Sequence, residues 1–295
     1  MIANQTLQNS AEWLHQKRLR LAPQKTEAVL LVAGRKIKTI SLEIEETVVE
    51  SREKVRYLGM LLDKNMTMGA HVRRTAEKAN KALAAIGRLI PKARGPREAT
   101  RKILCSVVHS IMLCAAPIWH KALQREVNRK VLLSTQCRTA IYITEAYRTA
   151  STRPLLVVAR IPLIHIWARQ RMEERSTEKT NANTTMFERW QEWWQGETDT
   201  EQWTRRLIPD IAPWFSRKHG DTTYHLTQLL TGHGCFQIYR KRFHMASKKQ
   251  EVETVTGQLT PDNIINKMLE DAEIWTKISS LAKYIIDTKE RDIRV

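Results

Sequence analysis

The chain has 295 residues, of which 42% are hydrophobic and 27% charged, so it can bury one large core or two medium ones. Lys and Arg number 49 against 31 Asp and Glu, and the net charge of +18 favours polyanionic partners, meaning nucleic acid or an anionic membrane surface. No window approaches the roughly 20 apolar residues of a membrane span and no secretory signal is visible, so we expect no membrane partner and a nuclear or cytoplasmic location.

The N-terminal part of the chain predicts one helix followed by strands. Residues 5–21 carry apolar side chains at helical spacing, and Pro23 ends this helix because proline cannot continue the hydrogen-bond ladder. Strand-like runs follow at residues 28–32, 37–44 and 55–62. The first run is continuously apolar, as in a strand covered on both faces, and Gly59 permits a bend in the third. We therefore expect a small antiparallel sheet of three strands at residues 1–66.

The rest of the chain predicts helices. Apolar residues recur in steps of three and four on one helical face: Val72, Ala76, Ala79, Leu83, Ile86 and Ile90. Further helices are predicted at about 97–115, 124–146 and 152–175, and the inner face of the first is assigned to Ile103, Leu104, Val107, Val108 and Ile111. These form a helical domain at 67–175. Residues 176–186 are poor in apolar side chains and predict an exposed linker before a helical domain at 187–295.

Positive charge is concentrated in the first of these helices and the segment after it. Residues 71–102 contain ten Lys or Arg and two Glu, a local net charge of +8: Arg73, Arg74, Lys78, Lys81, Arg88, Lys92, Arg94, Arg97, Arg101 and Lys102. Cations that neutralise phosphates release condensed counterions and bind nucleic acid without sequence preference. A run of charged residues is often only a solvent-exposed helix face. Here, however, the segment contains few acidic residues to balance the cations, and this favours nucleic-acid binding.

Two other clusters favour structural roles. Five of the nine tryptophans fall between residues 190 and 214, and their near-helical spacing favours core packing over base stacking. His225, His233, Cys235 and His244 lie close in sequence, but H-x-C is a poor zinc spacing, so we expect no metal there. The four cysteines form no C-x-x-C pair and are expected to be reduced.

Several motifs occur here in the order in which they occur in one enzyme family. They are L-A-P-Q-K-T-E at 21–27, V-R-Y-L-G-M-L-L-D at 55–63, C-A-A-P-I-W at 114–119, A-Y-R-T-A-S at 146–151 and L-T-G-H-G-C-F at 230–236. In these motifs the chain resembles the C-terminal part of reverse transcriptases of non-LTR retrotransposons, in particular the site-specific animal elements. Two departures stand out: the family's zinc knuckle after the last motif is missing, and Arg160 occupies a position where relatives tend to have glycine.

The resemblance implies an α+β, mostly α fold, with a palm remnant followed by a helical thumb and a helical C-terminal region. It implies that Lys25 lies near the incoming nucleotide, and that Tyr57 and Gly59 belong to the strands that grip the primer. The alternative for Lys25 is a solvated loop lysine, and the alternative for Tyr57 and Gly59 is an ordinary buried hairpin. For the intact family enzyme it implies RNA-directed DNA polymerase activity with magnesium, an RNA template and a DNA primer or target DNA.

Polymerisation needs two metal ions held by close carboxylates. Before residue 199 this chain has one aspartate, Asp63, which the family pattern places at the end of the primer-grip strands. We therefore expect nucleic-acid binding through residues 71–102, no cofactor and no catalysis by this chain alone. Two alternatives stay open: part of an active enzyme whose palm is supplied in trans or lost from an incomplete gene model, and a decayed element product whose helices only pack.

Overall fold

A computed structural model of the chain describes residues 2–31, 39–44, 47–90, 95–176, 178–196, 202–232, 253–254 and 257–293. The chain divides into two compact units, Met1–Arg74 and Thr75–Val295. Helices dominate the described residues and the strands form small sheets in the first unit, which confirms the predicted α+β, mostly α class. The division at residue 74 lies close to the predicted boundary at residues 66 and 67, whereas the boundary between thumb-like and C-terminal domains stays a prediction.

The first unit begins with a helix and continues into strands. Its elements are α1 (Ile2–Gln16), a 3-10 turn (Pro23–Lys25), β1 (Ala28–Val29), β2 (Ser41–Ile44), β3 (Thr47–Arg52), β4 (Lys54–Tyr57) and β5 (Met60–Asp63). β3 lies in the centre of a three-stranded sheet, with β1 parallel to it and β2 antiparallel. β4 and β5 form a separate antiparallel hairpin in which Tyr57 pairs with Met60.

The predicted sheet needs correction in three respects. Residues 55–62 are a hairpin rather than one strand, because Leu58 and Gly59 adopt positive φ angles of 45° and 83° and reverse the chain. β3 was not predicted, although it is the strand that organises the sheet. The sheet is mixed rather than antiparallel, since β1 runs parallel to β3. Residues 32–38, which belong to two of the predicted strands, lie outside the described residues.

A long helix, α2 (Gly69–Leu89), follows the hairpin. The carboxylate of Asp63 holds the turn before it, since Oδ1 accepts the backbone N–H groups of Asn65 (3.3 Å) and Thr67 (2.9 Å). The apolar face predicted for this helix is confirmed, because all six residues of the pattern between 72 and 90 are buried. The helix therefore presents its opposite side, where the lysines lie, to solvent.

All the regular secondary structure in the described residues of the second unit is helical. After α2 come α3 (Glu98–Leu113), α4 (Ala116–Trp119), a 3-10 turn (His120–Gln124), α5 (Glu126–Thr144), α6 (Thr152–Val158), α7 (Ile164–Glu173), α8 (Lys179–Gln195), α9 (Gln202–Leu207), α10 (Ile211–Ser216), α11 (Tyr224–Thr231), α12 (Ile264–Glu270) and α13 (Ala272–Ile293). Four consecutive residues of α6, Leu155 to Val158, are completely buried. Trp190, Trp194 and Trp214 are also fully buried, which confirms the predicted core role for three of the five clustered tryptophans, whereas Trp193 and Trp203 are half-buried.

Two expectations for these helices are corrected. Most of the predicted linker at 176–186 belongs to α8, which starts at Lys179 and buries Ala182 and Met186 at a spacing of one helical turn. The inner face of α3 is also different from the prediction, because Ile103 and Val107 are 70% and 52% exposed. The residues that α3 buries are Glu98, Arg101, Cys105, Val108, His109 and Met112.

Within the described ranges no single helix has the length and apolar composition of a membrane span; the segments Glu98–Leu113 and Ala116–Gln124 reach that threshold only together, and they meet at 47°.

Candidate nucleic-acid interface

Three cations form an exposed surface on the part of α2 that belongs to the second unit. Lys78, Lys81 and Arg88 are exposed, whereas Ala79, Leu83 and Ile86, which lie between them in sequence, are buried. At about 100° per residue the three side chains fall within about 80° of one another around the helix axis. Glu77 is the one acidic residue of α2, so this helix carries little negative charge to compensate its cations. We call this set the α2 basic surface.

The remaining predicted cations differ in their surroundings. Arg73 is exposed and Arg74 is half-buried, and both belong to the first unit. Arg73 lines a small cavity of about 180 Å³ whose walls include both cations and carboxylates. Arg97 is exposed at the N-cap of α3. Lys92 and Arg94 lie outside the described residues.

Arg101 was predicted to contact nucleic acid, and the structure buries it instead. Its side chain is 3% exposed and forms an ion pair with Glu145, with 2.6 Å between Nη1 and Oε1. Nε donates to the carbonyl oxygen of Ile143 (2.8 Å) and Nη2 to that of Thr222 (2.9 Å). Because an unpaired buried charge is costly, Arg101 cannot turn outward to a phosphate without breaking these interactions. Its role is therefore to join α3 to the end of α5 and to the segment before α11.

Lys102 is also engaged inside the second unit. Its Nζ lies 2.5 Å from Oε1 of Glu98, which is 1% exposed. Burial lowers the pKa of Lys102 to about 8, against the opposing effect of the Glu98 charge. Burial alone would raise the pKa of Glu98, but the charges of Lys102 and Arg217 outweigh it and lower that pKa to about 2. A lysine held this way contributes to packing more than to a phosphate-binding surface.

Glu98 is the centre of this buried charge cluster. Its Oε2 accepts the backbone N–H of Thr222 (2.6 Å), and Arg160 and Arg217 approach its two oxygens at 3.3 and 3.6 Å. Arg217 also lies over the Trp214 ring at 3.9 Å, and burial lowers its pKa to about 9. Sequence reasoning did not find this cluster. The E-x-x-R-K spacing of Glu98, Arg101 and Lys102 was visible, but their partners are distant in sequence.

Arg160 occupies a backbone conformation that suits glycine. Its φ is +58°, a left-handed conformation that glycine adopts without strain and arginine does not. The arginine side chain forms polar interactions in exchange, because one guanidinium nitrogen lies 3.3 Å from Glu98 Oε1 and another donates to the carbonyl oxygen of Arg217 at 3.3 Å. These contacts accompany the left-handed backbone at Arg160.

The hairpin that carries Tyr57 and Gly59 ends in an exposed apolar tip. Tyr57 is 58% exposed and Leu58 is 83% exposed, so the tip is not a buried hairpin. Lys25 is exposed as well, at the end of the 3-10 turn in the same unit. Lys25, Tyr57 and Gly59 are the residues that the family resemblance assigned to nucleotide and primer contacts, and all three are accessible to a ligand, Gly59 through its backbone.

Metal-ligand types are not grouped in the ranges that the structure describes. No set of three or more His, Cys, Asp or Glu residues there has the geometry to hold an ion. His225 instead approaches Asp287, with 3.2 Å between Nε2 and Oδ1. His233, Cys235 and His244 lie outside the described residues.

Comparison with curated proteins finds relatives among mobile genetic elements. The chain is 22% identical over 210 residues to the 115 kDa protein in the type-1 retrotransposable element R1DM of Drosophila melanogaster. It is 22% identical over 255 residues to the Pol polyprotein from the type-1 retrotransposable element R1 4 of Nasonia vitripennis. It is 27% identical over 137 residues to a protein named as the RNA-directed DNA polymerase from transposon BS of Drosophila melanogaster.

These alignments cover 62%, 79% and 44% of the chain, in the same order. The chain spans only 20%, 64% and 15% of the lengths of these relatives. No protein-family model matches, and no solved structure matches. The predicted resemblance is confirmed: the chain is homologous, at modest identity over much of its length, to R1 and BS proteins of non-LTR retrotransposons, which are reverse transcriptases or Pol polyproteins.

Proposed function

We propose that this chain is the nucleic-acid-binding, non-catalytic portion of a retrotransposon RNA-directed DNA polymerase. The α2 basic surface is the observation that carries the proposal. Its three cations are exposed and lie on one side of a helix whose other side is anchored in the core. The names of the relatives supply the substrate class, since an RNA-directed DNA polymerase acts on an RNA template and a growing DNA strand.

The geometry of the α2 basic surface suits a phosphate backbone. Lys78 and Arg88 are separated by about 15 Å along the helix axis at 1.5 Å per residue. A rigid helix holds cations at fixed spacing, so several phosphates can be neutralised together without ordering a flexible loop. Because the ligand is the backbone, we expect affinity without sequence preference.

The same proposal assigns no polymerisation step to this chain. Two-metal catalysis needs carboxylates that are close together and free to bind an ion. The carboxylate of Asp63, the one aspartate before residue 199, already accepts backbone N–H groups before α2. The described residues therefore do not fit a magnesium pair, and we propose that any such centre belongs to a palm segment supplied with this chain or in trans.

Salt dependence of binding tests the nucleic-acid proposal. The probe is a labelled RNA–DNA duplex, and its affinity for the purified chain is measured by fluorescence anisotropy from low to high salt. We expect the logarithm of the association constant to fall linearly with the logarithm of the salt concentration. In the triple variant Lys78→Gln, Lys81→Gln, Arg88→Gln the slope should decrease by about 1 for each phosphate that is no longer neutralised.

The matched control changes three exposed cations on other elements of the same unit. Arg175→Gln, Lys179→Gln, Lys218→Gln removes the same net charge from residues that are equally accessible. It should retain the salt slope of the unmodified chain. Equal loss of affinity in both triple variants would show that binding depends on net charge and not on the α2 basic surface. An affinity that does not change with salt would contradict the proposal.

A nucleotide-incorporation assay tests the non-catalytic part. The purified chain with a primed RNA template, deoxynucleotides and magnesium should give no extension product. Extension by the chain alone would show that a metal centre exists among its own residues. The proposal that the chain is non-catalytic would then be wrong.

A further inference from the structure

A long groove with an aliphatic floor lies between α2 and α5. Its volume is about 750 Å³, within the range of ligand-binding cavities. Leu83 of α2 and Leu133 and Ile141 of α5 supply its largest aliphatic side chains. The stretch of α5 that lines it, from Lys130 to Tyr142, extends about 18 Å at 1.5 Å per residue. A helix of about 12 residues has the same length.

The rim of this groove is basic. Arg138 is exposed on α5 and Arg148 just beyond its end, while Lys130, which is also exposed, pairs with Glu126 one turn earlier in α5. Glu145 is the one carboxylate among the lining residues, and Arg101 already pairs with it. An occupant therefore needs an apolar side toward the floor and acidic groups toward the rim.

We propose that the groove between α2 and α5 binds an acidic amphipathic helix of a protein partner. Both walls are helices whose backbone groups are bonded internally, so an extended peptide would find no sheet edge to pair with. A helix satisfies its own backbone and projects apolar side chains at i, i+3 or i+4 and i+7 into such a groove. Acidic residues on its outer sides complement the rim.

A single nucleic-acid strand fits this groove less well. Strand-binding grooves combine cations with aromatic faces on which bases stack. Tyr142 is the one aromatic residue that lines this groove, and its hydroxyl end is packed so tightly against Gly87 that a Cβ at that position would overlap it. The largest apolar side chains of the lining are Leu83, Leu133 and Ile141, beside smaller polar residues, and aliphatic groups of this kind favour leucine-like side chains over bases. The groove and the α2 basic surface therefore have different ligands.

Peptide binding tests this assignment. The probe is a fluorescein-labelled helical peptide of about 14 residues with leucines at i, i+3 and i+7 and glutamates on the opposite face, and anisotropy is measured at physiological salt. We expect saturable binding that Leu133→Asp weakens by about tenfold, because the substitution removes an apolar anchor from the floor. Leu133 is half-buried, so the fold of that variant is checked by circular dichroism.

Rim variants give a second, structurally safe measurement. Arg138→Glu and Arg148→Glu change exposed side chains and should each weaken binding several-fold. Lys218→Glu, an exposed cation on another segment, should not. A control peptide of equal composition with its leucines scattered around the helix should bind at least about tenfold more weakly than the patterned one.

Three results would overturn the assignment. They are no saturable binding of the patterned peptide, equal binding of both peptides, and binding unaffected by all the groove variants. Competition with an oligothymidine supplies the alternative: if it displaces the peptide and itself loses affinity in Leu133→Asp, the groove binds a nucleic-acid strand instead. The duplex affinity of the Lys78, Lys81 and Arg88 variant is measured separately, so the two proposals fail independently.

Discussion

Arg101 and Glu145 form a buried ion pair, with 2.6 Å between Nη1 and Oε1 and side chains that are 3% and 7% exposed. The pair links the first turns of α3 to the residue that ends α5. Glu145 also accepts the backbone N–H of Tyr224 at 3.1 Å, so the start of α11 depends on the same carboxylate. An arginine in a basic run thus acts as a structural connection among three helices.

Removing one partner of this pair should be strongly destabilising. In Arg101→Met the carboxylate of Glu145 stays buried without its charge partner, and we expect a loss of about 3–5 kcal/mol in the free energy of unfolding. Urea denaturation measures it. The double variant Arg101→Met, Glu145→Gln should be less unstable than the sum of the single variants.

An exposed pair in the same unit provides the matched comparison. Arg206 and Asp262 approach to 2.6 Å, but their side chains are 54% and 61% exposed. Arg206→Met should therefore cost much less than Arg101→Met, since solvent screens an exposed pair. Similar losses for Arg101→Met and Arg206→Met would show that burial does not govern the contribution of the Arg101–Glu145 pair.

Arg160 allows backbone strain and side-chain interaction to be separated. Arg160→Ala removes the ion pair with Glu98 and keeps the φ of +58°, so we expect it to be destabilised. Arg160→Gly removes the same ion pair but relieves the strain, and it should be more stable than Arg160→Ala by about 1–2 kcal/mol. Thermal and urea unfolding of both variants measure the difference. Equal stabilities would mean that the turn is not strained.

The sequence predicted α2 better than α3, and the reason is the origin of burial in each. Periodic apolar residues determine the buried face of α2, and they are local in sequence. In α3 the buried residues include Glu98 and Arg101, whose partners at Glu145, Arg217 and Thr222 come from distant segments. A local sequence pattern cannot predict ion-pair partners that come from distant segments. Apolar residues such as Ile103 are consequently exposed although they look like core residues.

The candidate site was predicted in the same uneven way. The lysines of α2 are recognisable because they alternate with a regular apolar face, whereas Arg101 and Lys102 have the same charge but opposite surroundings. The linker prediction at 176–186 failed because threonine and asparagine look like loop residues. Ala182, Met186, Trp190 and Trp194, spaced four apart, nevertheless fix that segment as a helix.

Gly220 should not tolerate a side chain. Its φ is +85°, and a Cβ there would overlap the ring of Trp275. Trp275 cannot move aside easily, since it is 4% exposed and stacks on Trp214 with 5.6 Å between ring centroids. Gly220→Ala combines backbone strain with overpacking, and we expect a loss of about 2–4 kcal/mol.

Gly257 supplies the control for Gly220. Its φ is +70°, and among the residues that the structure describes a Cβ there would meet the Lys267 Nζ at 3.5 Å, an ordinary contact distance. Gly257→Ala should therefore show the strain alone, about 1–2 kcal/mol. If urea denaturation gives equal losses for the two variants, the Trp275 ring does not limit the space at position 220.

Two buried histidines should make the protein less stable in mild acid. Burial lowers the pKa of His109 to about 4, and burial together with the charge of Arg129 lowers that of His165 to about 4. In the unfolded chain the histidine pKa values are near 6.5, so between about pH 4 and pH 6.5 the unfolded chain binds more protons than the folded one. Stability is therefore complete above pH 6.5 and falls as the pH is lowered toward 4, by about 2 kcal/mol per histidine at pH 5.

Urea denaturation at pH 7 and pH 5 measures this effect. The double variant His109→Gln, His165→Gln has no such groups and should lose less stability over the same interval. The low pKa of Glu98, about 2, matters only below pH 4.5, so it does not contribute in this window. Equal losses in the double variant and the unmodified chain would exclude these histidines as the cause.

Leu58 at the hairpin tip should reveal a conflict between stability and binding. It is 83% exposed at a φ of +45°, in a two-residue turn with Gly59 whose positive φ angles favour Asn-Gly. Leu58→Asn should therefore stabilise the first unit by about 1 kcal/mol. The exposed leucine does not stabilise the fold. Under the nucleic-acid proposal its side chain contacts the duplex instead, so Leu58→Asn should weaken duplex binding several-fold.

Val48 in β3 is the matched control, because it is an apolar residue of the same unit that is 60% exposed. Val48→Thr should leave duplex affinity unchanged, whereas Leu58→Asn and Tyr57→Ala should both reduce it without loss of stability. Measuring urea unfolding and duplex anisotropy on the same preparations separates the two effects. If Leu58→Asn is more stable and binds as tightly as the unmodified chain, the tip is not a nucleic-acid contact and its strain has no role in binding.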